Sequence, residues 1–331
     1  MEQTDLLKRA VEIIDELSIP YAIVGSFASG AWGESRLRKI SIFSNMLLGY
    51  NTNGLAHHDL LEAIRLLADL GYQGVALTLD HGALNPYDDR TPAQLERVAL
   101  ALEARNLRCV IETGARFLLD PCTKHEPTLV TADAAGRARR IDFLCRAIDL
   151  AARLKADCVS LWSGVLHDGA GEHDAISRLV GGLTEVLRYA EQKNVVLAFE
   201  PEPGMLVDTL GRFAALLDEL AARRVDSNQL RLTIDVGHLH CQGEVPIADQ
   251  IRQWRDRLAN VHIEDMRAGV HEHLMFGEGE IDFPPLIASL AEIGYSGLLC
   301  VELSRHSHEG PLAARRAYNL LRPQLEKAVV R

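Results

Sequence analysis

The sequence predicts an α/β protein, a (β/α)8 TIM barrel preceded by a short N-terminal appendage. From about residue 43, eight short apolar runs alternate with segments of helical periodicity, and this alternation is typical of parallel β/α proteins. Four successive runs end in a carboxylate or an imidazole, at the strand end where such barrels hold their active sites. A chain of 331 residues with 47% hydrophobic residues is long enough for a barrel of this kind.

The predicted strands are apolar throughout, which is the pattern of strands that are buried on both faces. They cover residues 45–50, 74–79, 107–112, 157–162, 195–200, 231–236, 260–264 and 298–302. The predicted helices cover residues 58–70, 91–105, 133–154, 174–193, 208–223, 246–257, 283–293 and 311–328. Helix-stop residues support these bounds, with Gly71 after the first helix and Asn106 and Asn194 after the second and fourth.

Residues 1–42 are expected to form the appendage, and residues 43–331 the barrel. A helical pattern over 4–17, a strand-like run and a Gly-Ser pair resemble the opening of a nucleotidyltransferase domain. Lys39 and Ser41 stand where that family has the two aspartates that bind its metals, so the resemblance implies no phosphoryl transfer. We expect a packing appendage, with a nucleotide or partner contact as the alternative.

Composition and charge disfavour several classes of protein. The sequence has no apolar run of 18 residues and no apolar core near its charged N-terminus, so we expect neither a membrane span nor a signal peptide. Its six cysteines form no CxxC pair, which favours reduced thiols in the cytoplasm. The net charge of −11 disfavours a nucleic-acid partner. A small molecule is the expected partner, and a homo-oligomer stays open.

The four strand ends carry the chemistry: Glu200, Asp235, His262 and Glu302. Three carboxylates and one imidazole suit a divalent manganese, cobalt, magnesium or zinc ion. A carboxylate at such a site can also act as a general base. Two alternatives stay open. Asp235 could be a helix N-cap, and Glu202 could replace Glu200 as a ligand if the strand ends later.

An ordered set of motifs resembles the xylose isomerase-like barrel superfamily over residues 45–305. The motifs are Leu197-Ala-Phe-Glu-Pro201, Ile234-Asp-Val-Gly-His238, Val261-His-Ile-Glu-Asp265, Gly277-Glu-Gly279-Glu-Ile-Asp282 and Val301-Glu-Leu303. That superfamily includes sugar-phosphate isomerases, ketose 3-epimerases and endonuclease IV.

The resemblance implies roles for several residues. Glu200, Asp235, His262 and Glu302 would be the ligands of one divalent metal ion. Glu200 and Glu302 would also flank the substrate as the catalytic acid/base pair. His238 is similar to a substrate-binding histidine of the epimerases and to a further metal ligand of the endonucleases. Arg267 is near the position of a substrate-orienting arginine.

Four more residues are candidates for substrate binding. His273 lies in the His271-Glu-His273 segment, where endonuclease IV has ligands of an additional metal; we favour a substrate or supporting contact, since the chain is acidic. In the long loop 114–133, Arg116 and Lys124 could bind an anionic group of the substrate; solvated surface charge is the alternative for each. Trp162 could form an apolar wall; packing at the barrel rim is its alternative.

The favoured function is a metal-dependent isomerase or epimerase of a sugar or sugar phosphate, with proton transfer through an enediolate. One alternative is an endonuclease IV-like hydrolase, suggested by the Gly277-Glu-Gly279 turn and by His271 and His273. The other is a non-catalytic barrel that binds a metabolite. The sequence decides neither the sugar, nor its phosphorylation, nor the metal.

Overall fold

The computed structural model describes residues 46–329. The predicted appendage of residues 1–42 lies outside these residues. Among the residues described, no helix is long and apolar enough to cross a membrane.

Eight parallel strands close into a barrel in the order β1–β10–β7–β6–β5–β4–β3–β2. They are β1 (Leu47–Asn51), β2 (Gly74–Thr78), β3 (Arg108–Glu112), β4 (Val159–Leu161), β5 (Leu197–Phe199), β6 (Leu230–Asp235), β7 (Leu258–Ile263) and β10 (Leu298–Val301). Each strand of the barrel follows its neighbour in the chain, and β10 closes the ring by pairing with β1 and β7. All eight predicted strands and the barrel are therefore confirmed.

Helices follow the strands and cover the outside of the barrel. They are α1 (Leu60–Leu70), α2 (Thr91–Ala104), α3 (Ala134–Leu154), α4 (Glu172–Lys193), α5 (Leu210–Ala222), α6 (Val236–Cys241), α7 (Ile247–Gln253), α8 (Phe283–Glu292) and α9 (Gly310–Val329). Asp59, Asp133 and Thr209 cap the starts of α1, α3 and α5 by accepting hydrogen bonds from backbone N–H groups. These caps explain why the helices begin close to where the sequence predicts.

Buried apolar residues form two layers. The larger cluster lies between strands and helices. The smaller one consists of residues in or beside strands: Ala76, Val110, Cys158, Ala198, Leu298 and Cys300. Because successive side chains of a strand point to opposite faces, we assign this second cluster to the barrel interior.

A short helix and a β-hairpin near the site were not predicted. Helix α6 has six residues, too few for a helical period to be recognised. The hairpin of β8 (Asp265–Arg267) and β9 (Val270–Leu274) follows β7, and β9 is only half-buried, so it lacks the apolar run of a barrel strand. The long loop 114–133 contains neither helix nor strand, as predicted.

Candidate functional site

The barrel brings the four predicted ligands together at the carboxyl ends of neighbouring strands. Glu200 follows β5, Asp235 ends β6, His262 lies in β7, and Glu302 follows β10. The pairing of β6 with β7 sets Asp235 opposite His262. One ligand atom of each of the four side chains lies within 4.8 Å of the others.

His262 is the centre of this group. Its Nδ1 lies 3.0 Å from Glu200 Oε1, 2.9 Å from Glu302 Oε2 and 3.9 Å from Asp235 Oδ2. One ring nitrogen carries at most one proton, so it cannot donate to three carboxylates at once. A divalent cation accepts oxygen and imidazole donors together. The donor set and its close spacing therefore fit a metal ion.

The far side of the same ring is held by a carboxylate. His262 Nε2 lies 3.0 Å from Glu112 Oε1, and Glu112 Oε1 also accepts a hydrogen bond from Asn260 Nδ2 at 3.3 Å. A proton on Nε2 leaves Nδ1 free to bind a cation, an arrangement that is usual for metal-binding histidines. Glu112 therefore orients the ring.

Asp235 divides its two oxygens between two roles. Its Oδ1 accepts a hydrogen bond of 2.8 Å from the backbone N–H of His238 and so caps α6. Its Oδ2 is buried and has no hydrogen-bond partner among residues 46–329. A buried polar oxygen without a partner is costly, and a bound cation would satisfy it. The N-cap alternative is therefore correct for one oxygen and leaves the other available as a ligand.

Burial and close spacing shift the pKa values of the carboxylates and of His262. Burial raises the pKa of Glu200 to about 8, against the opposing effect of His262. Burial also opposes the charge on His262, but the neighbouring carboxylates, Glu200 first, outweigh it and raise the pKa of the ring well above its usual value. Burial would raise the pKa of Glu302, yet His262 holds that pKa well below its usual range. The raised pKa of His262 reflects the negative charge of the carboxylates around it, and that charge favours a cation.

A second group of acids and histidines adjoins the first. His238 Nδ1 lies 3.7 Å from Glu200 Oε1 and 3.8 Å from Glu202 Oε2, and its Nε2 lies 3.0 Å from His271 Nε2. The ring of His273 is 5.8 Å from that of His238. His238 and His273, both predicted to bind substrate, therefore lie beside the four ligands.

Glu264, a strand-end carboxylate, was given no role among the site residues predicted from the sequence. It is fully buried, and neither of its carboxylate oxygens has a hydrogen-bond partner within the described part of the chain. Its Oε2 lies 3.9 Å from His273 Nδ1. A Cβ on Gly237 would overlap Glu264 Oε1, so only glycine fits beside this carboxylate. The available signal was its position, two residues after His262 at a strand end.

The other predicted substrate-binding residues occupy different surroundings. Arg267 is exposed on the hairpin, and its Nη2 donates to the carbonyl of Glu278 at 3.0 Å, so this contact is with the Gly-Glu-Gly turn and not with the four ligands. Lys124 is exposed. Arg116 is half-buried and donates through Nη2 to the Asn53 carbonyl at 3.2 Å.

Trp162 is buried, with its ring centroid 5.5 Å from that of His125. The guanidinium of Arg140 lies 4.4 Å from the centroid of the Trp162 ring. Arg140 is itself fully buried and donates to the carbonyl of Thr113. This cation–π contact helps to hold the indole in place, and nothing in the helical pattern of α3 had distinguished Arg140 from a surface arginine.

Asn53 is a further residue that sequence reasoning missed. It follows β1 in a short 3-10 helix (Thr52–Leu55), and its Nδ2 donates a hydrogen bond of 2.7 Å to Glu302 Oε1. Its position directly after the first strand was the available signal.

Comparisons with known proteins agree with this architecture. The family model described as xylose isomerase-like TIM barrel matches residues 64–324. Among curated proteins, the chain is 25% identical over 256 residues to the L-ribulose-5-phosphate 3-epimerase UlaE of Salmonella paratyphi C (strain RKS4594), covering 76% of this chain and 85% of that protein. It is 24% identical over 272 residues to the UlaE of Escherichia coli (strain SE11), covering 81% and 90%.

Solved structures are similar at the level of the fold. An L-ribulose 3-epimerase superposes with a TM-score of 0.68 at 21% identity, covering 86% of this chain and 95% of that one. A D-tagatose 3-epimerase-like protein has a TM-score of 0.68 at 17% identity, covering 86% and 98%. The 3-keto-D-glucoside 4-epimerase YcjR of E. coli has a TM-score of 0.67 at 16% identity, covering 84% and 99%.

Proposed function

We propose that this chain, which belongs to the xylose isomerase-like TIM barrel family, is a divalent-metal-dependent epimerase or isomerase of a sugar or sugar phosphate. The observation that carries the proposal is the convergence of three carboxylates on Nδ1 of His262. Relatives named as L-ribulose-5-phosphate 3-epimerases support a ketose substrate and proton transfer at carbon 3.

The metal would be held by Glu200, Asp235, His262 and Glu302. A divalent ion held there would supply positive charge that favours loss of a proton from the carbon next to the substrate's carbonyl group. Glu112 keeps the His262 ring oriented by accepting from Nε2.

Glu302 and Glu200 are the proposed proton-transfer pair. Against the effect of burial, His262 holds the pKa of Glu302 well below its usual range, and Asn53 Nδ2 donates a hydrogen bond to this carboxylate. Glu302 is therefore suited to accept the proton from the substrate carbon. The product of this step is an enediolate of the sugar. Glu200, whose pKa burial raises, is suited to return a proton to the opposite face, and that return inverts the configuration.

Buried surroundings protect this chemistry from water. Trp162 is buried beside His125 at the end of β4, and we propose that it forms the apolar wall of the substrate pocket. His238 and His273 have ring nitrogens near the carboxylates and are proposed to bind substrate hydroxyls. The six cysteines are all free, which supports the cytoplasm as the compartment.

The test is deuterium uptake by ketoses in D2O, followed by NMR. L-Ribulose 5-phosphate and L-ribulose would be incubated with protein loaded with manganese, cobalt, magnesium or zinc. Proton transfer at carbon 3 predicts deuterium at that carbon together with the epimer. Glu302→Gln and Glu200→Gln should each lower the rate by about 100-fold or more, whereas Glu278→Gln, an exposed glutamate near the site, should not.

Metal content must accompany these rates, because a variant that loses the ion loses activity for a different reason. Exchange that persists in Glu302→Gln with its metal retained would remove Glu302 from the proton-transfer step. If no ketose or ketose phosphate exchanges in the metal-loaded wild type, the epimerase proposal fails and a non-catalytic, metabolite-binding barrel becomes the better interpretation.

A metal-dependent hydrolase of the endonuclease IV type is the second candidate. The observation that favours it is the second set of ligand atoms, from His238, His271 and His273, which lie within 4.8 Å of one another. About three zinc ions per chain and cleavage of duplex DNA that contains an abasic site would support hydrolysis. The net charge of −11 weighs against a DNA substrate, so this candidate ranks below the first.

A further inference from the structure

A cavity of about 410 Å³ lies at the carboxyl ends of β1 and β2, beside the N-terminal turn of α1. None of the four predicted metal ligands lines it. Asn53 connects the two places, because it lines the cavity and also donates to Glu302 Oε1 at 2.7 Å. Asn53 therefore links the wall of this cavity to Glu302, the proposed proton acceptor.

The guanidinium of Arg116 places a positive charge in the wall of the cavity. Arg116 lines the cavity and is half-buried, and its hydrogen bond goes to the uncharged carbonyl of Asn53. Within residues 46–329, no carboxylate forms an ion pair with it. A partly buried guanidinium without an anionic partner is well suited to binding a ligand anion through several N–H groups.

Two histidines that line the cavity can supply further hydrogen-bond donors to a ligand. His58 lines the cavity, and its Nδ1 is buried without a hydrogen-bond partner in the described residues. The other ring nitrogen, Nε2, is thus the one that can reach a ligand. His81 lies on the exposed side of the cavity, where its ring can contact a group that enters from solvent.

The two aspartates that line the cavity have donors of their own. Asp59 Oδ1 accepts from the backbone N–H groups of Leu61 and Glu62 at the start of α1, where the helix dipole favours a negative charge. Asp80 Oδ1 accepts from the backbone N–H of His81 at 2.7 Å. These acids are therefore engaged with backbone donors, while Arg116 forms no ion pair with an acid in the described part of the chain.

We propose that this cavity is the binding site for the phosphate group of a phosphorylated ketose, with Arg116 as its main ligand and His58 and His81 as additional donors. The proposal rests on the proposed function and narrows it from sugars in general to sugar phosphates. A hydroxymethyl end of an unphosphorylated sugar would leave the Arg116 charge without an anion. A phosphate offers three oxygens to donors on different sides of the cavity.

The test is isothermal titration of the metal-loaded protein with L-ribulose 5-phosphate, with L-ribulose and with inorganic phosphate. We expect the phosphate ester to bind about tenfold to a hundredfold more tightly than the free sugar, a difference of about 1.4–2.8 kcal/mol, since Arg116 would form hydrogen bonds with a charged group. Arg116→Ala should abolish this preference and the binding of inorganic phosphate. Arg105→Ala is the control, because Arg105 is also an arginine but is exposed and does not line the cavity.

Equal affinity for ester and free sugar in the wild type would overturn the proposal, as would a preference that survives in Arg116→Ala. Failure of the proposed function gives a different result. Inorganic phosphate that binds through Arg116, without turnover of any ketose, would keep the anion site and refute the epimerase. Turnover of free ketoses without phosphate binding would refute the anion site alone.

Discussion

Replacing Asp235 by asparagine and by alanine tests the metal site most directly, because the two carboxylate oxygens of Asp235 have different roles. Oδ1 caps α6 through the His238 N–H, and Oδ2 is the buried oxygen assigned to the metal. Asparagine keeps the volume and an oxygen for the cap but removes the charge. Alanine removes the charge, the cap and the volume together. The pair of variants therefore separates the metal ligand from the helix cap.

The expected magnitudes follow from these contacts. Loss of a residue that merely supports a ligand lowers metal affinity about 10- to 100-fold, so loss of the ligand charge itself should lower it by about 100-fold or more in both variants. At a metal concentration of 100 times the wild-type Kd, bound metal adds about 2.7 kcal/mol to the free energy of unfolding. Both variants should lose most of that increment. Without metal, Asp235→Ala should be less stable than Asp235→Asn by about 1 kcal/mol, the usual contribution of an N-cap.

The assay combines elemental analysis of the purified proteins with urea unfolding, with and without added manganese, cobalt or zinc. Wild type is expected to hold about one ion per chain and to gain stability with metal, and the two variants to do neither. An Asp235→Asn protein with wild-type metal content would show that Oδ2 is not a ligand. Equal stability of the two metal-free variants would show that the cap is unimportant.

Three further predictions concern the surroundings of the site. Asn53→Ala removes the hydrogen bond to Glu302 and should lower kcat about 10- to 100-fold at unchanged metal content. This range corresponds to about 1.5–3 kcal/mol for a hydrogen bond to a charged group. An unchanged kcat would refute a role of Asn53 in orienting the carboxylate. Gly237→Ala places a methyl group against the buried carboxylate of Glu264 and should lower the free energy of unfolding by about 1–3 kcal/mol; wild-type stability in urea would contradict this overlap. Burial lowers the pKa of His125 to about 4 in the folded protein, from about 6.5 in the unfolded chain. The neutral ring therefore stabilises the fold fully above pH 6.5, and this contribution is lost as the pH falls from 6.5 towards 4. The stability advantage of wild type over His125→Gln, measured by urea unfolding of metal-free protein, should shrink by up to about 3 kcal/mol over that pH range, and a constant difference would contradict the shift.

Much of the fold could be predicted because the barrel strands and helices are long or apolar enough to show their periods. The four proposed ligands could be found for a related reason. They end strands that are all parallel, and parallel strands of a barrel deliver their carboxyl ends to one face. Glu200 and Glu302, about a hundred residues apart in the sequence, therefore could be assigned to one place from strand order alone.

The barrel, its strand order and the residue types at the carboxyl ends of its strands could all be predicted from the sequence. Which atoms contact one another could be seen only in the folded structure. The division of Asp235 into a cap oxygen and a free oxygen, the support of His262 by Glu112 and the bond from Asn53 to Glu302 depend on side-chain positions across different strands. Likewise, the loop sequence could not show that Arg116 has no carboxylate partner among residues 46–329, because whether a charge has a partner depends on what distant segments place around it. Periodicity follows from local backbone geometry, whereas pairing follows from the packing of segments that are distant in the sequence.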